Sequence, residues 1–205
     1  SELHLEQWSI WLPSNSNRDP VPRVLRREIV GEAGQKVVAE VEITASRKGT
    51  LTTEDQKTYY ALVEHHQRNR RRPDNFVYFS LRGLSKSLAK QWGTRTIETV
   101  TDSLVRLRAN TIVWKNSYHD AVTNKTQEEL GFFNIITDLK IITTKQDGHH
   151  TRAEGYFKLN DAIIANIEQN HSKPVLLDVV LKFKSEVAQI LYTQLDRILS
   201  RDITS

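Results

Sequence analysis

The sequence predicts an α+β fold, a winged helix-turn-helix with additional strands and C-terminal helices. Three observations carry that expectation. "LSKSLAKQWGTRTI" (84–97) closes one amphipathic run at Trp92-Gly93 and opens another at once. A helix-patterned stretch and a short aromatic strand precede this pair of runs. Two β-rich segments, "TIVWKNSYHD" and "ELGFFNIITDLKIITTK", follow it directly.

The elements follow in chain order. Residues 1–36 read as an irregular N-terminal arm or linker, because "PSNSNRDPVP" is rich in turn formers and broken by proline. Trp8, Ile10 and Trp11 are too apolar for a free tail, so they are expected to dock, on the chain's own domain in preference to a partner chain. Residues 37–205 read as the winged-helix domain. "KVVAEVEITAS" alternates apolar and polar residues and predicts a strand. "LTTEDQKTYYALVEHHQRN" opens on a capping-box pattern, Thr52 or Thr53 before Glu54 and Asp55, and predicts a helix over 51–69. Arg70, Arg71 and Arg72 then enter a turn at Pro73.

"FVYFS" predicts a strand, with Ser80 as N-cap of a helix over 81–91 whose apolar face is Leu81, Leu84, Leu88 and Trp92. Gly93 fits a left-handed residue closing that helix. Thr94 is expected to cap the next, with Ile97, Val100, Leu104 and Leu107 turned inward. A hairpin with a long polar tip, "SYHDAVTNKTQE", forms the expected wing. "GYFKL" adds a strand, Asn160 caps a helix over 160–170, and a last helix has Val187, Ile190, Leu191, Leu195, Ile198 and Leu199 on one face.

Charge is distributed unevenly. Residues 1–45 carry 5 basic and 7 acidic side chains, residues 46–115 carry 14 and 6, and residues 116–205 carry 10 and 12. The positive field therefore sits on the paired helices, where a phosphate backbone would be attracted; a solvated basic face is the alternative. In a helix-turn-helix, the second helix enters the major groove while the first braces across the backbone. Arg95, Glu98, Thr99, Asp102 and Arg106 form the outward stripe of the second helix. Arginine can read guanine, and Thr99 a thymine methyl group or a phosphate. Glu98 and Asp102 either read cytosine or pair with Arg95 and Arg106. Arg82, Lys86 and Lys90 suit phosphates, joined by the start of the second helix at Thr94 and Thr96. Lys115 and Lys125 on the wing, and Arg71 and Arg72 at the edge, complete the expected DNA-binding set.

Other chemistry finds no support. With 0 Cys, disulfides, thiolate zinc sites and a cysteine nucleophile are excluded. "GEAGQK" lacks the spacing and hydroxyl residue of a phosphate loop. His65 and His66 are adjacent on a predicted helix, which sets their side chains about 100° apart and suits no shared metal, and His149 and His150 fall in a polar loop beside Asp147 and Gly148, where solvent is their expected partner. No pair of carboxylates stands out for acid–base work, so no enzyme activity, metal or cofactor is expected. No apolar run reaches the roughly 18–20 residues that span a bilayer, and the N-terminus lacks a secretory pattern, so the chain reads as cytoplasmic without membrane association.

The stretch from "LTTEDQKTYYALV" through "FVYFSLRGLSKSLAKQWGTRTIETVTDSLVRLRANTIVW" resembles the plasmid replication initiators of the replication initiator protein A group. Further points of resemblance are "GYFKLN" and the late helix with Ala188, Leu191, Tyr192 and Leu195. The resemblance covers roughly residues 37–200 and rests on core positions. It implies a bacterial protein that binds double-stranded DNA at a plasmid origin, recruits host replication proteins and forms a homodimer through the wing-side sheet or the N-terminal arm. Related initiators carry two winged helices in tandem, and this sequence shows one clearly. A winged-helix transcriptional regulator, or an initiator's dimerisation module with weak DNA affinity, is the alternative.

Overall fold

The structure is a computed structural model. It describes residues 8, 10–14, 22–30, 36–69, 74–120, 125–146, 149–168 and 177–202. Among the described residues the fold is α+β, with antiparallel sheets and six helices.

Two strands come first, β1 (Arg23–Val30) and β2 (Lys36–Thr44). The segment that forms β1 reads as irregular from sequence, yet it pairs along its whole length with β2, Arg23 opposite Ile43 and Val30 opposite Lys36. Its register lets Leu25 lie against the core while Arg26 meets Glu40 at 2.6 Å on the other face. Trp8, Ile10 and Trp11 are buried in the chain's own core. Leu12 bonds the backbone on both sides of Thr52, N–H to Leu51 O and C=O from Thr53 N, and so pins the arm to the start of helix α1 (Thr53–Arg68).

Beyond α1 come β3 (Val77–Ser80), α2 (Leu81–Ser87) and α3 (Thr94–Ala109). The inward residues of α3, Ile97, Val100, Leu104 and Leu107, are all buried, as their spacing requires. Four strands follow in two hairpins: β4 (Thr111–Asp120) with β5 (Lys125–Phe133), and β6 (Ile136–Gln146) with β7 (His149–Leu159). The hairpins join different sheets. β4 and β5 extend β1 and β2 into a four-stranded sheet of order β1-β2-β4-β5. β7 lies between β3 and β6 in a three-stranded sheet. β4 and β5 pair as far as Asp120–Lys125, so strand pairing reaches well into the stretch expected as a long polar tip, whose residues 121–124 lie outside the described residues. His149 and His150 belong to β7 rather than to a polar loop. Gly155 sits mid-β7, where a Cβ would lie 1.8 Å from the Lys140 carbonyl oxygen, so the strands approach more closely than any side chain permits.

Helices α4 (Asp161–Glu168), α5 (Leu177–Val180) and α6 (Glu186–Asp202) end the chain's described part. Asn160 caps α4 as expected, its Oδ1 accepting from Ala162 N at 3.0 Å. Helix α6 departs from expectation. Gln189 and Thr193 are buried, whereas Val187, Leu191 and Leu195 are exposed. The buried glutamine is tied to α1 through its amide nitrogen: Nε2 donates to Thr53 O at 3.1 Å and to Gln56 Oε1 at 2.8 Å, while its own Oε1 has no partner among the described residues. Fixed polar partners on α1, rather than apolar area, decide which face of α6 turns in.

Among the described residues, no helix is long and apolar enough to cross a membrane.

Candidate nucleic-acid interface

The surface of interest is built by α2, the turn after it and the first turns of α3. Ser80 starts α2 as a true N-cap, its Oγ accepting from Gly83 N at 3.0 Å. The helix closes after seven residues. Lys90 N donates to Ser85 O at 2.9 Å and Ala89 N to Lys86 O at 3.0 Å, the paired bonds of a Schellman ending. Its left-handed residue is Ala89, with φ of 53°. Gly93 has φ of 174°, which is extended backbone, so it does not supply the left-handed turn expected of it. Gly93 is instead the N-cap position of α3, and Thr94 is the first helical residue rather than the cap. Thr96 Oγ1 donates to Gln91 O at 2.6 Å and ties the helix start to the turn.

The structure brings several of the expected residues onto this surface. Arg82, Lys86, Thr94, Arg95 and Thr99 are exposed, and Thr96 is half-buried. Arg82, Lys86 and Arg95 make no ion pair among the described residues, so their charge is turned to solvent. Thr99 is exposed, and its Oγ1 donates to Arg95 O at 2.7 Å.

Lys90 lies at the same edge but is engaged. Its Nζ is 2.8 Å from Glu54 Oε2, and Lys57 Nζ is 2.7 Å from Glu54 Oε1. Burial would raise the Glu54 pKa, but the hydrogen bonds from Lys57 and Lys90, aided by their charges, hold it below the ordinary value. One carboxylate thus staples α1 to the turn between α2 and α3.

Arg106 requires a correction. It is buried, with Nε 2.8 Å from Asp55 Oδ2 and Nη2 2.8 Å from Asp55 Oδ1. It belongs to the interior and is not available to a base. Asp102 pairs with Lys48 at 2.9 Å rather than with Arg95 or Arg106 of its own helix. The outward stripe therefore ends one turn earlier than the spacing suggests. Lys115 is exposed on β4, opposite Glu40 of β2, and so belongs to the four-stranded sheet rather than to the α2–α3 surface. Lys125 lies at the start of β5, with its side chain outside the described residues. Arg71 and Arg72 also lie outside them.

Sequence reasoning missed Trp92 at this surface. Continuing the 81–84–88 apolar spacing places it inward, but α2 stops at Ser87, and the indole is 38% exposed. Its position next to a glycine and between Lys90 and Arg95 was the available signal.

No protein-family model matches the sequence, and no curated protein matches it. Solved structures do match in fold. The crystal structure of a selenomethionine derivative of domains 2 and 3 of RctB superposes with a TM-score of 0.68 at 13% identity, over 93% of this chain and 67% of that one. A second crystal structure of RctB domains 2-3 gives 0.62 at 12% identity, over 87% and 63%. The chain thus shares the fold of about two thirds of those two-domain structures.

Proposed function

We propose that this chain is a DNA-binding unit of a replication initiator, with its duplex-facing surface at α2, the turn and α3. RctB is a replication initiator, and the likeness to its domains 2 and 3 over 93% of the chain is the observation that carries the reading. The α1-β3-α2-α3 order followed by the β6–β7 hairpin, with β7 beside β3, suits a winged helix. On this reading the wing is β6–β7, and β4–β5 is an insertion that serves the other sheet. The exposed cations Arg82, Lys86 and Arg95 support attraction of a phosphate backbone. Thr94 and Thr99 lie where α3 would meet a groove. The role requires no catalytic group, only backbone attraction, groove insertion and recruitment of host replication proteins. A plasmid origin in a bacterial cytoplasm is the setting that the resemblance to replication initiator protein A adds.

Selection from a random duplex library, followed by gel-shift titration, tests the proposal. The expected result is a recovered consensus whose binding weakens on Arg95→Ala. Binding with no sequence preference, or none at low salt, overturns it.

A homodimerisation module is the second reading, favoured by a specific feature. Phe132 and Leu130 are 70% and 55% exposed on β5, an edge strand of the four-stranded sheet. Exposed apolar groups on an open edge favour pairing with another chain. Sedimentation analysis of the native chain and of Phe132→Ser distinguishes a dimer from a monomer.

A further inference from the structure

Trp92 does not stand alone on the surface. With Ser80, Arg82, Lys86 and Gln91 it lines an open concavity of about 560 Å³, to which Lys90 also contributes. That volume falls in the range of about 300–1,000 Å³ that small ligands occupy. No carboxylate lines it. Trp92, 38% exposed, contributes an indole to its lining, and Arg82 and Lys86 contribute a guanidinium and an ammonium group, both exposed and free of ion pairs among the described residues.

Each part selects for a different part of a ligand. The two cations suit a phosphate. An acidic peptide would satisfy them equally well but would leave the exposed indole in water. A nucleotide base satisfies the indole, since every base has a π-face and base–aromatic stacking is sequence-tolerant. A base in a duplex has both faces covered by its neighbours, so only an unpaired base can take this place. Gln91 is exposed at the same rim and can donate to or accept from a base edge.

We propose that the turn between α2 and α3 holds one unpaired nucleotide of single-stranded DNA, its base stacked on Trp92 and its phosphate held by Arg82 and Lys86, the cations that meet the backbone of an unopened duplex. The inference rests on the duplex-binding reading above, because it places the unpaired nucleotide beside the duplex-facing helix. The surface then recognises a junction, with double-stranded DNA on α3 and an opened strand leaving past Trp92.

The test uses a labelled oligo-dT and a labelled duplex at low salt with the native chain, Trp92→Leu and Trp92→Phe. Leucine keeps an apolar side chain before α3 but has no π-face, and phenylalanine restores a ring. Trp92→Leu is expected to weaken oligo-dT binding by roughly 5- to 100-fold, as for one lost stack. Its duplex affinity should stay within about twofold, and Trp92→Phe should recover most of the loss. Oligo-dT should quench indole emission in the native chain and not in Trp92→Leu. Unchanged oligo-dT affinity in Trp92→Leu overturns the proposal, as does an equal loss for oligo-dT and duplex. Trp92-dependent oligo-dT binding without any duplex binding upholds the subsite and removes the duplex reading, so the two fail separately.

Discussion

Arg106 grips Asp55 with two hydrogen bonds of 2.8 Å each, and both side chains are buried. The same carboxylate accepts from Thr52 N at 2.9 Å and from Ser103 Oγ at 2.6 Å. Asp55 therefore caps α1 and ties it to α3 through a single group. Removing one member of a buried pair leaves the other charge without a partner. Arg106→Ala and Asp55→Ala are each expected to lower stability by about 3–5 kcal/mol. Urea unfolding checks this through a lower midpoint. Arg106→Met, which retains the stem volume, should not rescue it, since Asp55 would still be stranded.

The left-handed conformation at Ala89 costs about 1 kcal/mol in a residue with a Cβ. Ala89→Gly is expected to raise stability by roughly 0.5–1 kcal/mol. At Gly93 the backbone is extended and a Cβ would meet nothing within 4 Å. Gly93→Ala should be tolerated, and Gly93→Ser should gain a few tenths of a kcal/mol as a better N-cap. Thermal melts of the three variants would show the order Ala89→Gly, Gly93→Ser, native. A strong loss in Gly93→Ala would contradict the assignment of the turn.

The three lysine and arginine positions of the first helix and turn should separate in salt titrations. Arg82→Ala and Lys86→Ala are each expected to reduce the slope of log affinity against log salt by about 0.9 for duplex DNA. Lys90 already neutralises Glu54, so Lys90→Ala should change the slope less than either. Its effect should appear in stability instead, at about 0.2–1 kcal/mol, the range of partly exposed ion pairs. Slopes from titrations between low and moderate salt decide the point.

Acid should weaken the staple between α1 and the turn. The Glu54 carboxyl has its pKa held below the usual 4.5 in the folded chain. Its contribution is therefore fully present above the unfolded value and lost as pH falls through the folded one. Urea midpoints are expected to fall as the pH drops below about 4.5, and Glu54→Gln should flatten that limb while lowering stability at neutral pH. An unaltered acid limb in Glu54→Gln would show that other carboxylates control it.

The sequence made local features legible and left long-range ones hidden. The capping box at Thr52–Asp55, the Ser80 cap and the inward face of α3 all follow from spacing along one helix. The fate of Arg106 does not, because its partner lies 51 residues away and the spacing along one helix places it on the outward stripe. The preference of glycine for the left-handed region points to Gly93, yet the chain places Ala89 there. The inverted face of α6 was hidden for a similar reason: Gln189 finds its partners 133 and 136 residues away on α1. Strand partners were hidden as well, since nothing in "FVYFS" specifies that β7 will lie beside it.

That last pairing bears on how the chain is made. Val77–Ser80 leaves the ribosome long before His149–Leu159, its sheet neighbour. At about 5–20 residues per second, the roughly 70 intervening residues take some 4–14 s to synthesise. Throughout that interval Phe79 and Leu81 have neither the Phe157 ring nor a neighbouring strand to shelter them. The nascent chain is then a natural client for chaperones, and refolding from denaturant should be slower than its helix content suggests, since distant strands must meet before the core can close.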